Sequence, residues 1–68
     1  MNKFYERLKL LRLEKALSRN ALAKFLSVSV RLISYWENGE RECDLDTLIK
    51  IADFFNVTTD YLLGRSEY

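Results

Sequence analysis

Residues 17–39 read Leu17-Ser18-Arg19-Asn20-Ala21-Leu22-Ala23-Lys24-Phe25-Leu26-Ser27-Val28-Ser29-Val30-Arg31-Leu32-Ile33-Ser34-Tyr35-Trp36-Glu37-Asn38-Gly39, and this stretch decides the fold. Leu22, Ala23 and Leu26 recur on one face of a helix, and so do Ile33 and Trp36. Each segment opens with the same grammar. Leu17-Ser18 precedes a helix whose fourth residue is Leu22, and Val28-Ser29 precedes one whose fourth residue is Ile33. The hydroxyl caps free backbone N–H groups, and the apolar residue before it staples onto the fourth helical residue. The second predicted helix therefore runs from Ser18 to about Leu26. The third runs from Ser29 to about Asn38, where Gly39 stops it. Two short helices joined by so short a turn form a helix-turn-helix unit. A strand competes for Val28, Val30 and Leu32, which alternate with Ser29 and Arg31. That alternation breaks at Leu32-Ile33, and no second segment offers a pairing partner, so the helix is preferred.

Working outward, Val57-Thr58 repeats the grammar before Leu62, which predicts a short helix from Thr58 to Leu63 ending at Gly64. Asp44 is placed to cap a fourth helix reaching about Phe55, with Leu45, Leu48, Ile51, Ala52 and Phe55 inward and Asn56 in a left-handed closing conformation. The first helix is expected from Asn2, as its cap, to about Lys15. Its inward face is Phe4, Leu8 and Leu11, while Leu10 and Leu13 fall on another side. Residues 65–68 are expected to fray. The fold class is all-α, a compact bundle of five helices in one domain over residues 1–68, with no repeat and no linker.

Composition excludes much else. The chain has 68 residues, one cysteine (Cys43), no histidine, no proline and only two glycines. An internal disulfide is impossible, and a structural zinc site lacks ligands. Two distant glycines make no phosphate-cradling loop, and so short a chain has little room for a catalytic pocket. The expectation is a non-enzyme with no cofactor and no metal. No apolar run exceeds three residues, as at Ala21–Ala23 and Tyr61–Leu63, so no membrane span is expected. Charges within Met1–Arg7 do not suit a signal peptide. A cytoplasmic location is expected, which also suits a lone thiol. Cys43, between Glu42 and Asp44, reads as an inert loop residue. The net charge of +1 hides a polarity: residues 1–43 sum to +4 and residues 44–68 to −3. The basic half points to an anionic partner.

Ile33-Ser34-Tyr35-Trp36-Glu37-Asn38-Gly39, with Leu17-Ser18, Leu22-Ala23, Val28-Ser29, Leu45-Asp46-Thr47-Leu48, Ile51-Ala52, Asn56-Val57 and Asp60-Tyr61-Leu62-Leu63, resembles the Cro/CI-type (XRE) helix-turn-helix family from Phe4 to Gly64. The resemblance implies a lambda-repressor-like bundle that binds operator DNA, usually as a dimer. In that geometry the first helix of the unit crosses the DNA backbone and the second enters the major groove. The resemblance also implies a structural ion pair between Arg12 and Glu37, joining the first helix to the end of the third. The chain departs from the family pattern in places. Arg19 stands where glutamine is common, Ser27 where the turn has glycine, and Cys43 where the loop has proline. Glu40-Arg41-Glu42 is more acidic than usual, and the reading positions are poor in amides. Leu10 and Leu13 stand where lysines are common.

On this reading the base-contacting residues are Val30, Arg31, Leu32 and Tyr35. Arg31 suits guanine O6 and N7, with a phosphate contact as its alternative. Val30 and Leu32 suit thymine methyl groups, with partial core burial as the alternative for Leu32. Tyr35 would use its hydroxyl on a base or a phosphate. Ser18, Arg19, Ser29, Asn38 and Arg41 are expected on the DNA backbone. Tyr61, Leu62 and Leu63 are expected to lie partly in the core, with the remainder at a homodimer interface, and Leu10 and Leu13 are the less favoured surface. Trp36 is expected in the core. The implied function is a sequence-specific transcriptional regulator, a repressor occupying a near-palindromic operator on double-stranded DNA, with no small-molecule effector. The alternative is a protein-interaction module, antitoxin- or antirepressor-like, using the apolar face of Val30, Leu32 and Tyr35.

Overall fold

Three hydroxyl groups set where three of the helices begin. Ser18 Oγ accepts from the Ala21 N–H at 3.0 Å, Ser29 Oγ from Leu32 at 3.2 Å and Thr58 Oγ1 from Tyr61 at 3.0 Å. The structure, a computed structural model, describes residues 2–68; Met1, included in the expected domain, lies outside them. The helices are α1 (Phe4–Glu14), α2 (Arg19–Leu26), α3 (Val30–Glu37), α4 (Leu45–Phe55) and α5 (Thr59–Leu63). No strand occurs among the described residues, and the segment at Val28–Ile33 enters α3 rather than a sheet. The bundle measures 28 × 23 × 20 Å.

The helix ends share one device. Ala16, Ser27, Gly39, Asn56 and Gly64 all have positive φ, between 55° and 80°. In each case the next residue's N–H closes back onto the carbonyl five residues earlier. These bonds are Leu17 to Arg12, Val28 to Ala23, Glu40 to Tyr35, Val57 to Ala52 and Arg65 to Asp60, all 2.9–3.1 Å. Left-handed closure of this kind satisfies the last carbonyls of a helix and turns the chain sharply. Two of the five positions are glycine, and the others carry the steric cost of a Cβ in that region. Ala16 gave no such signal in the sequence. Gly64 is doubly constrained, because a Cβ there would lie 2.7 Å from Lys3 Cγ.

Helix α1 packs on α3 and α5, α2 on α3, and α4 on α5. The core takes Phe4, Leu8 and Leu11 from α1, Leu22, Ala23 and Leu26 from α2, and Ile33 and Trp36 from α3. Leu48, Ile51, Ala52 and Phe55 of α4 and Leu62 of α5 complete it. Trp36 meets Phe4 edge-on at 6.2 Å and is a core residue, as expected. The residues before the caps, Leu17, Val28 and Val57, pack against this core. Two details differ from expectation. Leu45 is 78% exposed, because the first turn of α4 projects past the core edge that Leu48 still reaches. Asp44 occupies the N-cap position of α4 but makes no side-chain cap bond. Asn2 acts one step from its expected place: α1 begins at Phe4, whose N–H donates to Asn2 Oδ1 at 3.0 Å.

One charged cluster is built into this apolar interior. Arg12 Nε donates to Glu37 Oε2 at 2.7 Å and Arg12 Nη2 to Glu37 Oε1 at 3.0 Å, a bidentate pair joining α1 to the end of α3. Arg12 Nη1 also donates to the Leu17 carbonyl at 2.9 Å, tying in the α1–α2 turn. The hydrogen bonds to Glu37 raise the proton affinity of Arg12 above its ordinary value, against the opposing effect of burial. No buried side-chain nitrogen or oxygen among the described residues is left without a partner.

Three expected outcomes follow from these contacts. Glu37→Ala strands a buried guanidinium, and breaking a buried pair costs about 3–5 kcal/mol; thermal unfolding should show a midpoint lowered by more than about 10 °C. Ser27→Gly relieves a left-handed serine worth about 1–2 kcal/mol of strain, less about 0.4–1 kcal/mol of added unfolded-state entropy. The midpoint should therefore rise by a few degrees, and Ala16→Gly should behave alike. The Cys43 thiol is pushed up to about 11 by burial first and then by the charges of Asp44 and Glu42. Alkylation at pH 8 should be about tenfold or more slower than for a free thiol, and should accelerate steeply above pH 10.

Candidate nucleic-acid interface

The helix-turn-helix unit consists of α2, the turn Ser27-Val28-Ser29 and α3. Left-handed Ser27 reverses the chain, Val28 anchors the turn on the core, and Ser29 starts α3. Lys50 of α4 braces the unit from behind, donating to the Leu26 carbonyl at 2.8 Å and capping the end of α2. These contacts leave the first turn of α3 projecting from the bundle. Val30 and Arg31 are exposed there, and the Ser18 and Ser29 hydroxyls stand at the exposed starts of the two helices. Leu32 is half-buried and packs against the core, which was its expected alternative.

Farther along α3 the surface is already engaged with itself. The Arg41 guanidinium lies over the Tyr35 ring, 4.6 Å from its centroid, as cations sit on aromatic faces. The Tyr35 carbonyl accepts from the Glu40 and Arg41 N–H groups at 2.9 and 3.4 Å, which folds the loop back onto the helix. Tyr35 and Arg41 thus form one stacked unit, and one face of the ring is covered. Asn38 donates to Glu40 Oε1 at 3.3 Å, and Asn2 donates to Glu42 Oε2 at 2.8 Å. Both loop carboxylates therefore have local partners. Between Tyr5, Trp36, Arg41 and Glu42 lies an open hollow of about 260 Å³.

Arg19, expected on the DNA backbone, stands at the start of α2 with its side chain 38% exposed. Yet its Nε donates to Glu37 Oε1 at 3.1 Å and its Nη1 to Ser34 Oγ at 3.4 Å. Glu37 therefore serves two arginines, and the cluster of Arg12, Glu37 and Arg19 keeps a net positive charge. Ser34 was not singled out in the sequence, although it lies three residues before Glu37 and so on the same helical face.

At the opposite end, the expected dimer residues separate. Leu62 is fully buried and offers no surface, so it is corrected to a core residue. Tyr61 and Leu63 are half-buried against the core. Arg7 covers the Tyr61 ring at 4.3 Å and donates to the Tyr61 and Ser66 carbonyls at 3.3 and 3.4 Å. Arg7 Nη2 also lies 3.6 Å from Glu67 Oε1, on a side chain that is mostly exposed. A contact across so many residues of chain leaves no local sequence signal. The less favoured pair, Leu10 and Leu13, is exposed on α1.

Comparison with known proteins agrees with this geometry. A helix-turn-helix family model matches residues 8–62. The chain is 37% identical over 62 residues to the HTH-type transcriptional regulator ImmR of Bacillus subtilis, covering 91% of this chain and 49% of ImmR. It is 42% identical over 64 residues to the HTH-type transcriptional activator BcrR of Enterococcus faecalis, covering 94% of this chain and 31% of BcrR. The chain thus spans about half the length of ImmR and about a third of BcrR. Its backbone is similar to that of the P22 c2 repressor protein crystallised with a synthetic operator, with a TM-score of 0.87 and 29% identity over 97% of this chain and all of that one. These relatives are transcriptional regulators rather than enzymes. Among the described residues, no helix is long and apolar enough to cross a membrane. With a matching five-helix architecture and a family model spanning most of its length, the chain belongs to the Cro/CI-type helix-turn-helix family of transcriptional regulators.

Proposed function

We propose that the chain is a sequence-specific DNA-binding unit that regulates transcription by occupying an operator on double-stranded DNA. The observation that carries this reading is the projecting first turn of α3, with Val30 and Arg31 exposed on a helix locked to the rest of the bundle through Glu37. In the major groove, Arg31 would take guanine O6 and N7, and Val30 a thymine methyl group. Leu32 would reach a neighbouring methyl with its exposed part, and Tyr35 would offer its hydroxyl from beneath Arg41. Ser18, Arg19, Ser29, Asn38 and Arg41 would hold phosphates, fixing register without reading sequence.

Two copies on a near-palindromic site would present their α3 helices about 34–36 Å apart. Tyr61 and Leu63 would then supply the homodimer contact. The operator complex of the P22 c2 repressor supports repression by occupancy. A cytoplasmic site of action, without membrane or small-molecule effector, completes the proposal. The protein-interaction alternative has less support, since Leu32 is partly buried and Tyr35 partly covered, leaving Val30 as the exposed apolar residue on that face.

Selection of duplexes from a random pool tests this reading. We expect an enriched half-site containing guanine beside thymine, bound with a salt slope that is modest per protomer. Arg31→Ala should weaken binding and relax preference at one base pair per half-site, a discrimination worth about 1–3 kcal/mol. Replacing the adjacent thymine by uracil should also weaken binding. Binding to no duplex at low salt, or enrichment of no sequence, would contradict it.

A further inference from the structure

Arg19 opens α2, while Ser34 and Glu37 stand one turn apart on α3. Its guanidinium is held at two corners, Nε on Glu37 Oε1 and Nη1 on Ser34 Oγ. A guanidinium is a rigid plane with its donors in a fixed fork. Fixing two corners therefore fixes where the third one points. The Nη2 donors make no hydrogen bond among the described residues, and the side chain reaches solvent. The anchor itself is enclosed: the Glu37 side chain has no exposed surface and is also held by two hydrogen bonds from Arg12. Charge does not cancel the effect, since two arginines on one carboxylate leave the junction of α2 and α3 cationic.

A flexible surface arginine loses rotamer freedom when it grips a phosphate. Arg19 is already held by two hydrogen bonds within the fold. Resting on the DNA-binding reading above, we propose that Ser34 and Glu37 are positioning residues for DNA: they do not touch it, but lock Arg19 with its Nη2 edge presented to a backbone phosphate crossing α2. A lysine at position 19 has a single nitrogen and no such fork. Arginine at this place therefore does two jobs that one ammonium group does poorly together.

The test compares salt-dependent binding of a selected duplex by the wild-type chain, Ser34→Ala, Arg19→Ala and the double variant. Ser34→Ala should unfold within about two degrees of wild type, because it removes one partly exposed hydroxyl. It should nevertheless lose affinity about threefold to tenfold. Its salt slope should move toward that of Arg19→Ala, which should fall by about one. The double variant should bind like Arg19→Ala alone, since Ser34 acts only through that side chain. Glu37→Gln, measured where circular dichroism shows it folded, should shift the slope the same way; if it does not fold, Ser34→Ala carries the test. Wild-type affinity and slope for Ser34→Ala overturn the proposal, as do losses that multiply in the double variant. In either case the DNA-binding reading stands. Failure of the wild-type chain to bind any duplex overturns both.

Discussion

The carboxylate of Glu37 is the constraint on which the rest of the structure depends. It sits at the end of α3, wholly enclosed, and accepts from Arg12 of α1 and Arg19 of α2. A buried ion pair gains little over an apolar contact of the same shape, but its directional bonds admit few alternative arrangements. Here those bonds fix three helices relative to one another. The Leu17 carbonyl, bonded to Arg12, brings the intervening turn into the same network. A small bundle with one cysteine, and so no internal disulfide, has few other means of holding a protruding helix in one orientation. The apolar core alone would tolerate some sliding of α3, whereas a bidentate guanidinium–carboxylate pair does not.

Function then follows from what this network leaves outside. The first turn of α3 projects, and the far end folds its loop back so that Arg41 stacks on Tyr35. The loop acids Glu40 and Glu42, like charges to a DNA phosphate, are each engaged by an asparagine side chain. A pairing of this kind blunts the repulsion without removing the charge. Two guanidinium groups thus stand beside α3, Arg19 on Glu37 and Ser34 and Arg41 over the Tyr35 ring.

Much of this was legible in the residues, for physical reasons that can be named. Hydroxyl caps before apolar staples marked three helix starts, because capping is a local interaction between neighbours in sequence. The Arg12–Glu37 pair was implied by family resemblance, since no periodicity relates residues 25 apart. Contacts made only in three dimensions stayed hidden. Arg7 on Tyr61 and Lys50 on the end of α2 depend on how helices cross. Leu45 followed the correct period yet lay outside, because periodicity gives a face and not where the core ends. Leu62, expected to share between core and dimer surface, is fully enclosed by its neighbours. Ala16 adopts a conformation that its side chain does not favour, so no composition rule flagged it.

On the proposed reading, duplex DNA meets α3 in its groove and α2 along its backbone. Backbone amide chemical shifts followed by NMR during titration with a selected duplex test this most directly. The largest changes are expected at Ser29–Tyr35 and at Ser18–Asn20, with smaller ones at Asn38–Arg41 and little change over Asp46–Asp53 of α4. Changes centred on α4, or on the exposed Leu10 and Leu13 face of α1, with α3 unmoved, would contradict it.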